Sequence, residues 1–337
     1  MRRYQLCLLP GDGIGPEVTG AARTVMETLP LGFDWVEGAI GYGAYQKFGQ
    51  PLPDETLAKV TAADATLFGA VTTPPDIPNY SSPIIRLRKT CDLYANIRPI
   101  RSIPNPISRP NLDMVIVREN TEDLYVGIER LEDNGNTAIG EMVITRRGCE
   151  RIARAAFDQA VKRGFNKVTI VHKANVLRQT TGLFRRVAYE VAQAYTGIQA
   201  EDMLVDTCAM ELVRAPEQFQ VVVTTNLFGD ILSDEASMLV GGLGLACSGN
   251  IGEKAAVFEP VHGSAPKLVG TGKANPMATV LSAAMLLDFL GEAEHAERLR
   301  TAVIAAIAAG QVPEDLGGTL TTAEVTQEII NQLRSQK

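Results

Sequence analysis

Short apolar runs of strand length recur along this chain, and most of them are separated by stretches of helical period. The runs that predict buried strands lie at residues 5–10, 65–70, 113–117, 167–171 and 220–224. The first run is followed by a predicted helix from Pro16 to about Leu29. Because parallel strands need crossover connections, which are usually helices, this order predicts an α/β fold with a substantial parallel sheet.

Two segments rich in proline or glycine divide the chain. Prolines at 99, 104, 106 and 110 mark the first segment, and the second contains Gly241, Gly242 and Gly244. A chain of 337 residues is also long for one domain. We therefore expect one domain inserted into another, with residues 1–99 and 241–337 forming the first and residues 100–240 the second. The cleft between two such domains is the default ligand site.

Composition excludes several classes of protein. The chain has 32 Lys and Arg against 39 Asp and Glu, a net charge of −7, and no basic stripe, so no nucleic-acid partner is expected. Its five cysteines are scattered without C-x-x-C spacing, which favours a reducing, cytoplasmic location. Neither a secretory leader nor an apolar run of membrane-spanning length is expected.

The first predicted turn, at residues 11–15, has glycines in a G-x-G-x-G arrangement. The dinucleotide fingerprint requires G-x-G-x-x-G, so the turn fails that test. Two interpretations stay open at this stage. The glycines either provide positive φ for a tight strand-to-helix turn, or they bring backbone N–H groups close to a ligand at the helix N-terminus.

Asp230 and Asp234 are four residues apart, which on a helix places them one turn apart on one face. Carboxylate oxygens of this kind are ligands for Mg²⁺ or Mn²⁺. A solvated acidic helix face is the alternative interpretation. The position favours a ligand site, because the pair follows the apolar run at 220–224, and α/β proteins bind ligands at the carboxyl ends of such strands.

Further polar side chains suit a polyanionic substrate. Arg88, Arg98 and Arg118 lie at the ends of apolar segments and could each bind a carboxylate in a bidentate manner, although a single arginine is more often a surface ion pair. Tyr125 and Lys173 are candidate acid and base groups. His172 and His262 could be ligands or structural residues, and His295 is expected at the surface.

Six motifs together resemble the β-decarboxylating dehydrogenases, the family of the isocitrate, isopropylmalate, homoisocitrate, malate and tartrate enzymes. The resemblance covers essentially the whole chain in the family's order. The motifs are GDGIGPE at 11–17, LRKTCDLYANIRP at 87–99, RENTEDLY at 118–125, HKAN at 172–175, NLFGDILSD at 226–234 and EPVHGSAP at 259–266.

The resemblance implies an isopropylmalate-dehydrogenase-like fold with two α/β/α domains, distinct from the Rossmann fold. It implies metal-dependent oxidation of a 3-substituted (R)-malate at C2, hydride transfer to NAD or NADP, and loss of the β-carboxylate. It also implies a homodimer with shared active sites, and leaves open whether dimers pair into tetramers. The first domain would bind the cofactor, and the second would hold the metal site and the dimer interface.

The resemblance also implies a role for each matching residue. Asp230 and Asp234 would bind Mg²⁺ or Mn²⁺ together with Asp206 from the other subunit. The three arginines would hold the malate carboxylates, Lys173 from the partner would help to remove the C2 hydroxyl proton, and Tyr125 would protonate C3. Asn175 would lie near the nicotinamide and contact substrate. The remaining cofactor-binding residues would be Thr72, His262, Gly263, Ser264, Ala265, Lys267, Asn275 and Asp315.

Two departures from the family pattern concern specificity. Lys267 occupies the position where NAD-using members usually have Asp, and a cation there would attract the 2′-phosphate of NADP. However, Leu268 stands where the NADP-type isocitrate enzymes have Tyr, and a second basic contact near residues 315–318 is missing. The choice between NAD and NADP stays open.

The second departure lies before Arg88, where family members recognise the variable group of the substrate. The string YSSPI at residues 80–84, which contains Ser81 and Ser82, is similar to fungal-type homoisocitrate dehydrogenases, and Glu122-Asp123 is also typical of tricarboxylate users. Ile84 and Ile85 could instead contact an isopropyl group. Homoisocitrate and isocitrate differ by one methylene, which is worth only about 1–3 kcal/mol, so overlapping use of both is expected.

Three functions follow as hypotheses. Homoisocitrate or isocitrate oxidation is favoured over isopropylmalate oxidation in leucine biosynthesis. A catalytically silent regulatory subunit is the hypothesis from another class. A silent subunit would have damaged metal or acid-base positions, and none of those positions is altered here.

Overall fold

The structure is a computed structural model that describes residues 2–74, 76–77 and 80–336. Its strands are β1 (Arg3–Gly11), β2 (Gly32–Glu37), β3 (Ala65–Ala70), β4 (Ala95–Arg101), β5 (Asp113–Glu119), β6 (Glu129–Glu132), β7 (Thr137–Gly140), β8 (Lys167–His172), β9 (Gln199–Leu204), β10 (Val221–Thr224), β11 (Cys247–Ile251) and β12 (Ala256–Pro260). Its helices are α1 (Gly15–Met26), α2 (Tyr42–Phe48), α3 (Asp54–Ala62), α4 (Pro83–Thr90), α5 (Arg146–Arg163), α6 (Thr180–Ala192), α7 (Val205–Arg214), α8 (Asn226–Ser237), α9 (Met277–Phe289), α10 (Ala293–Ala308) and α11 (Thr322–Ser335). In the part of the chain that the structure describes, no helix is long and apolar enough to span a membrane.

The chain forms two compact units. The first unit contains residues 1–93, 102–110 and 237–337, and the second contains residues 94–101 and 111–236. The sequence placed the boundaries near residues 99 and 240. The segment 102–110 belongs to the first unit, where Nδ2 of Asn105 donates to the carbonyl of Val240 at 3.0 Å and the N–H of Arg109 donates to the carbonyl of Leu239 at 2.8 Å.

The strands of the first unit follow the order β2-β1-β3-β12-β11, and only the β11–β12 pairing is antiparallel. Strand β1 is buried on both faces: Leu6 and Leu8 pack in one apolar cluster, and Cys7 and Leu9 in another. Burial on both faces explains why the sequence shows a continuous apolar run here. Helix α9 is buried on nearly all sides and belongs to the cluster of Leu6.

The strands of the second unit follow the order β4-β5-β10-β8-β9, with β4 antiparallel to β5 and the other pairs parallel. Helix α5 contacts β5, β8 and β10 and buries Ile152, Ala156 and Phe157. Strands β6 and β7 form a separate, largely exposed hairpin. Because β5, β10, β8 and β9 run in one direction, their carboxyl ends meet at one edge of the sheet.

The predicted α/β fold is confirmed, and the antiparallel pairs make the sheet more mixed than the sequence indicated. Helix α1 ends at Met26 rather than near Leu29. After Met26 the backbone hydrogen bonds change to the tighter i→i−3 type, because the N–H of Thr28 donates to the carbonyl of Val25 and that of Leu29 to Met26. Pro30 has no N–H group and cannot continue the series.

Candidate active site

A charged cluster lies at the carboxyl ends of the parallel strands in the second unit. Arg118, near the end of β5, forms a salt bridge with Asp230 of α8 through Nη1. The hydroxyl of Tyr125 donates to Oδ2 of the same aspartate at 2.7 Å, and the Arg118 guanidinium lies 5.1 Å from the centre of the Tyr125 ring. Gly229 allows this approach, because a Cβ atom there would lie 2.6 Å from Cγ of Arg118.

Arg98 of β4 completes the cluster. Its Nη1 lies 3.2 Å from Oδ1 of Asp234, its Nη2 lies 3.5 Å from Oδ1 of Asp230, and Nη1 also donates to the Ser233 hydroxyl at 2.5 Å. The structure thus brings together five of the predicted site residues, which are Arg98, Arg118, Tyr125, Asp230 and Asp234.

Burial changes the acid-base properties of the cluster. It raises the pKa of the Tyr125 hydroxyl, and the hydrogen bond to Asp230 raises it further. Tyr125 therefore keeps its proton at neutral pH. Burial also raises the pKa of Asp234, although the neighbouring Arg98 acts in the opposite direction. A further cation beside Asp234 would favour its charged form.

The donor set of Asp230 and Asp234 fits a divalent metal ion. Their side chains are 39% and 55% exposed, lie one helical turn apart and offer only oxygen atoms, as Mg²⁺ and Mn²⁺ prefer. Within the described ranges, no group of three or more His, Cys, Asp or Glu residues could hold a metal ion. The third predicted ligand, Asp206, is accordingly not clustered with the other two in a single chain.

Asp206 instead pairs with the second predicted proton-transfer residue. Lys173 follows β8, Asp206 lies in the first turn of α7 after β9, and the parallel pairing of these strands brings their ends together. The Lys173 ammonium donates to Oδ1 of Asp206, and this bond lowers the pKa of the carboxyl group. Asn175 is exposed two residues further along the same loop.

A hydrogen-bond network around His172, next to the loop that carries Lys173, was not predicted. Nδ1 of His172 accepts from the N–H of Ala174 at 3.0 Å, so the hydrogen at Nε2 points to Asp202, 2.8 Å away. Asp202 also accepts from Arg185 and Tyr189. His172 is therefore a buried structural residue that supports the loop carrying Lys173.

The predicted cofactor residues lie in the first unit, except Asn175. Thr72 donates to the Ser264 hydroxyl at 2.7 Å, and Asn275 donates to Asp315 at 3.0 Å. Nδ1 of His262 lies 3.0 Å from the carbonyl oxygen of Gly263, and its Nε2 is buried without a partner in the described part of the chain. Burial lowers the pKa of the His262 imidazole. Ala265 adopts a positive φ of 40°, and Lys267 is exposed in the turn that follows.

The geometry of the turn at residues 11–15 favours the first interpretation of its glycines. Gly11 and Gly13 have φ of 75° and 63°. A Cβ atom on Gly11 would lie 1.9 Å from the carbonyl oxygen of Ala70, and one on Gly13 would lie 2.0 Å from that of Ser264. The N–H groups of Asp12, Ile14 and Gly15 donate to backbone carbonyls, so they are not directed at a ligand. The Asp12 carboxylate accepts from the N–H groups of Tyr42, Gly43 and Thr72, an anchoring role that the sequence did not reveal.

The predicted substrate-reading segment begins before α4. Ser81 is exposed, and Ser82 occupies the N-cap of α4 without a side-chain capping bond. Ile84 packs against the apolar cluster that contains Leu87, whereas Ile85 is half-buried.

Arg88, on the same helix, belongs to the first unit. Its Nη2 donates to Oε1 of Glu259 at 2.8 Å, and its Nε is buried without a partner among the described residues.

Two further expectations need correction or refinement. His295, expected at the surface, is only partly exposed, with a side-chain exposure of 16%. Glu122 accepts from the N–H and hydroxyl of Thr145, and the fully buried Asp123 accepts from the N–H groups of Leu124 and Leu227. Both carboxylates therefore accept hydrogen bonds that position backbone segments.

Comparison with known proteins identifies the family of this chain. The family model described as isocitrate/isopropylmalate dehydrogenase matches residues 5–332. The chain is 50% identical to a homoisocitrate dehydrogenase of Methanocaldococcus jannaschii over 98% of both chains, and 48% identical to a 3-isopropylmalate dehydrogenase of Methanothermobacter thermautotrophicus over 99% of both. The crystal structure of isocitrate dehydrogenase from Methylococcus capsulatus superposes with a TM-score of 0.95 at 43% identity, covering 98% of this chain and 100% of that chain.

The family match and the relatives of this fold show that the chain is a decarboxylating dehydrogenase. The chain belongs to the isocitrate/isopropylmalate dehydrogenase family, as its sequence motifs predicted. The expected difference from the Rossmann fold is confirmed as well.

Proposed function

We propose that this protein catalyses metal-dependent oxidative decarboxylation of a 3-substituted (R)-malate, with homoisocitrate, isocitrate or both as substrate. The grouping of Arg98, Arg118, Tyr125, Asp230 and Asp234 at one sheet edge carries the proposal. It combines two carboxylate-binding cations, a protonated acid and two metal-type ligands. The relatives named above act on three different substituted malates, which supports the reaction class more strongly than any one substrate.

Each residue of the cluster has a step in this reaction. The guanidinium groups of Arg98 and Arg118 bind substrate carboxylates and orient the reacting carbons. A divalent ion held by Asp230 and Asp234 would stabilise the negative charge that develops when the β-carboxylate leaves as CO₂. Tyr125 holds its proton at Oη and donates it to C3 of the substrate after that loss.

Lys173 and Asp206 act from a second copy of the chain in this proposal. They form a pair of their own and are not clustered with Asp230 and Asp234 in one chain. Large apolar side chains are also exposed on and after the two helices concerned, with Met210 and Val213 on α7, Ile231 on α8 and Met238 just beyond it. A homodimer in which α7 and α8 pack against a partner would cover these side chains and supply Lys173 and Asp206 to the neighbouring site.

The first unit would bind the nicotinamide cofactor, which would supply the acceptor for the hydride from C2 of the substrate. Lys173 of the second copy would help to remove the proton of the C2 hydroxyl. The proposed contacts of the first unit are Thr72, His262, Gly263, Ser264, Ala265, Asn275 and Asp315. The exposed Lys267 would meet a 2′-phosphate if NADP is used.

A distal carboxylate is favoured over an isopropyl group as the variable part of the substrate. Ile84 is engaged in the apolar cluster, and Ser82 carries a hydroxyl that makes no capping bond. Isopropylmalate is the second candidate, because the half-buried Ile85 offers an apolar contact next to Ser82. A silent regulatory subunit is disfavoured, since none of the proposed metal and proton-transfer residues is altered.

Initial rates at 340 nm test the proposal. The enzyme with Mg²⁺ is assayed with homoisocitrate, isocitrate, isopropylmalate and malate, each with NAD⁺ and NADP⁺. A preference in kcat/KM for a tricarboxylate is expected. A preference for isopropylmalate would assign the protein to the second candidate function, and no turnover of any of the four would support the silent subunit. Sedimentation velocity gives the oligomeric state, for which a monomer would contradict the shared site.

A further inference from the structure

Two buried arginines of the second unit are held by asparagine side chains. Arg118 is 1% exposed and Arg98 is 5% exposed. A buried guanidinium group needs hydrogen-bond acceptors, and a buried carboxylate partner would also cancel its charge. Here the Nε edge of each arginine faces the amide of a buried asparagine.

Arg118 is fixed by Asn226, the first residue of α8. Its Nε and Nη2 both donate to Oδ1 of Asn226, at 3.0 and 2.7 Å. Nδ2 of the same asparagine donates to the carbonyl of Glu122 at 3.2 Å, which fixes the orientation of the amide. Because a guanidinium group has only donors, only the amide oxygen can face it.

Arg98 is fixed in the same way by Asn96. The two residues are two positions apart on β4 and therefore lie on the same face of the sheet. Nε of Arg98 donates to Oδ1 of Asn96 at 2.8 Å, and Asn96 is fully buried. An amide oxygen satisfies the N–H group without adding a negative charge.

The Nη1 atoms of both arginines contact carboxylates instead of asparagine. Nη1 of Arg118 forms a salt bridge with Asp230, and Nη1 of Arg98 forms one with Asp234. Both aspartate carboxylates are partly exposed. A ligand carboxylate can replace these aspartates at the Nη atoms while the bonds to asparagine persist. The arginines then keep both their position and their net attraction for the anion.

We infer that Asn96 and Asn226 are positioning residues whose neutrality keeps Arg98 and Arg118 available for the carboxylates of the substrate. The inference rests on the proposed function, because it takes the bound anion to be a polycarboxylate substrate. It adds a requirement that the arginines alone do not imply: the side chains that accept from their Nε atoms must be uncharged.

The variants Asn96→Asp and Asn226→Asp test this requirement. Aspartate has nearly the same size and retains an acceptor oxygen, but it adds a negative charge beside the arginine. The KM of the preferred substrate is expected to rise about tenfold or more in each variant, with a much smaller change in kcat. A purely structural role would leave KM unchanged, because the hydrogen bond to Nε is preserved, and that result would overturn the inference.

The matched control is Asn331→Asp on the exposed face of α11. Oδ1 of Asn331 accepts from Nε2 of Gln327 at 3.0 Å, and an aspartate can do the same. This variant has the same change in composition and net charge, and its KM should equal that of the wild type. An equal rise in the control would show an effect of net charge alone and would overturn the inference.

Equilibrium binding separates this inference from the proposed reaction. Calorimetric titration of isocitrate with Mg²⁺ present and no cofactor needs no turnover, and Kd should rise by the same factor as KM. Absence of turnover in the wild type would refute the proposed function but leave this titration informative. Asn226→Asp also loses the bond to the Glu122 carbonyl, so if that variant does not fold, Asn96→Asp decides. Failure of Asn96→Asp to fold would overturn the inference by showing that the amide is required for folding.

Discussion

The hydroxyl group of Tyr125 donates a hydrogen bond of 2.7 Å to Oδ2 of Asp230. Arg118 binds the other oxygen of the same carboxylate, so the proton donor and the substrate-binding cation share one aspartate. The bond raises the pKa of the tyrosine in the same direction as burial does. Burial is the larger cause of the raised pKa of Tyr125, and the hydrogen bond to this metal-type ligand adds to it.

Tyr125→Phe should impair catalysis and leave folding intact. Loss of a general acid lowers kcat by about 10²- to 10⁴-fold, whereas KM and the melting temperature should change little. Water can replace the lost bond, because the Asp230 side chain is 39% exposed. Steady-state kinetics with the preferred substrate measure the effect. Tyr195→Phe, which removes a hydroxyl that donates to the exposed Asp158, is the control, and equal kcat values in the two variants would contradict the role of Tyr125.

Asp230→Asn should weaken metal binding. The substitution keeps one oxygen as an acceptor for Arg118 but removes the charge that binds a divalent ion. Titration of Mn²⁺ in the presence of substrate should give an affinity lower by more than about 100-fold, since even outer-sphere substitutions lower metal affinity by about 10–100-fold. Glu217→Gln, an exposed charge loss in the same unit, serves as the control. Unchanged Mn²⁺ affinity in Asp230→Asn would remove this aspartate from the metal site.

Local pattern was sufficient to predict the α/β fold and the helix that carries Asp230 and Asp234. Strand β1 is recognisable because both its faces are buried, and α8 because its carboxylates recur at one-turn spacing directly after β10. Strands β11 and β12 were not identified. Both are only five residues long, and β11 contains the polar residues Ser248 and Asn250, whose burial depends on the rest of the fold.

The positioning residues could not be found from local pattern. Asn226 and Arg118 are 108 positions apart in the chain, and only the register of β5 with β10 brings them together. Asp12 is similar, because its acceptor role depends on N–H groups of residues 42, 43 and 72. One signal was present: the polar Asn96 lies between the apolar residues Ala95 and Ile97, a position that indicates a buried hydrogen-bond partner.

Ser82→Ala should discriminate between the two candidate substrates. If the hydroxyl binds a distal carboxylate, its loss costs about 1.5–3 kcal/mol, and kcat/KM for the tricarboxylate falls about 10- to 100-fold. The rate with isopropylmalate should not fall and serves as the internal control. Ser81→Ala tests the exposed neighbour in the same way. Equal losses with both substrates would contradict recognition of a distal carboxylate by Ser82.

Lys267→Asp should change the preference between cofactors. Removing the cation weakens attraction for the 2′-phosphate of NADP⁺, and a carboxylate in its place can accept from the ribose hydroxyls of NAD⁺. The ratio of kcat/KM values for NADP⁺ and NAD⁺ is expected to fall about tenfold or more. Lys267→Ala separates the loss of the cation from the gain of the carboxylate. An unchanged ratio in both variants would show that this exposed side chain does not contact the cofactor.

Asp202→Asn should lower stability in a pH-dependent way. Asp202 accepts hydrogen bonds from Arg185 at 2.9 Å and Tyr189 at 2.6 Å, and lies 2.8 Å from Nε2 of His172. Chiefly through the bond from Arg185, the pKa of Asp202 is lowered in the folded state. At neutral pH the substitution should lower the free energy of unfolding by about 1–3 kcal/mol.

The sign of the pH dependence follows from that lowered pKa. The stabilising contribution of Asp202 is complete above the unfolded-state pKa of about 3.9 and is lost as pH falls from there toward the folded-state value, because protons bind the unfolded chain first. Urea denaturation at pH 7, 5, 4 and 3 measures the difference in the free energy of unfolding between the wild type and Asp202→Asn. This stability advantage of the wild type should be constant down to about pH 5 and become smaller below about pH 4. Asp158→Asn, at an exposed aspartate that accepts from Tyr195, should show a smaller difference throughout. An advantage that is as large at pH 3 as at pH 7 would mean that Asp202 contributes through packing rather than through its charge.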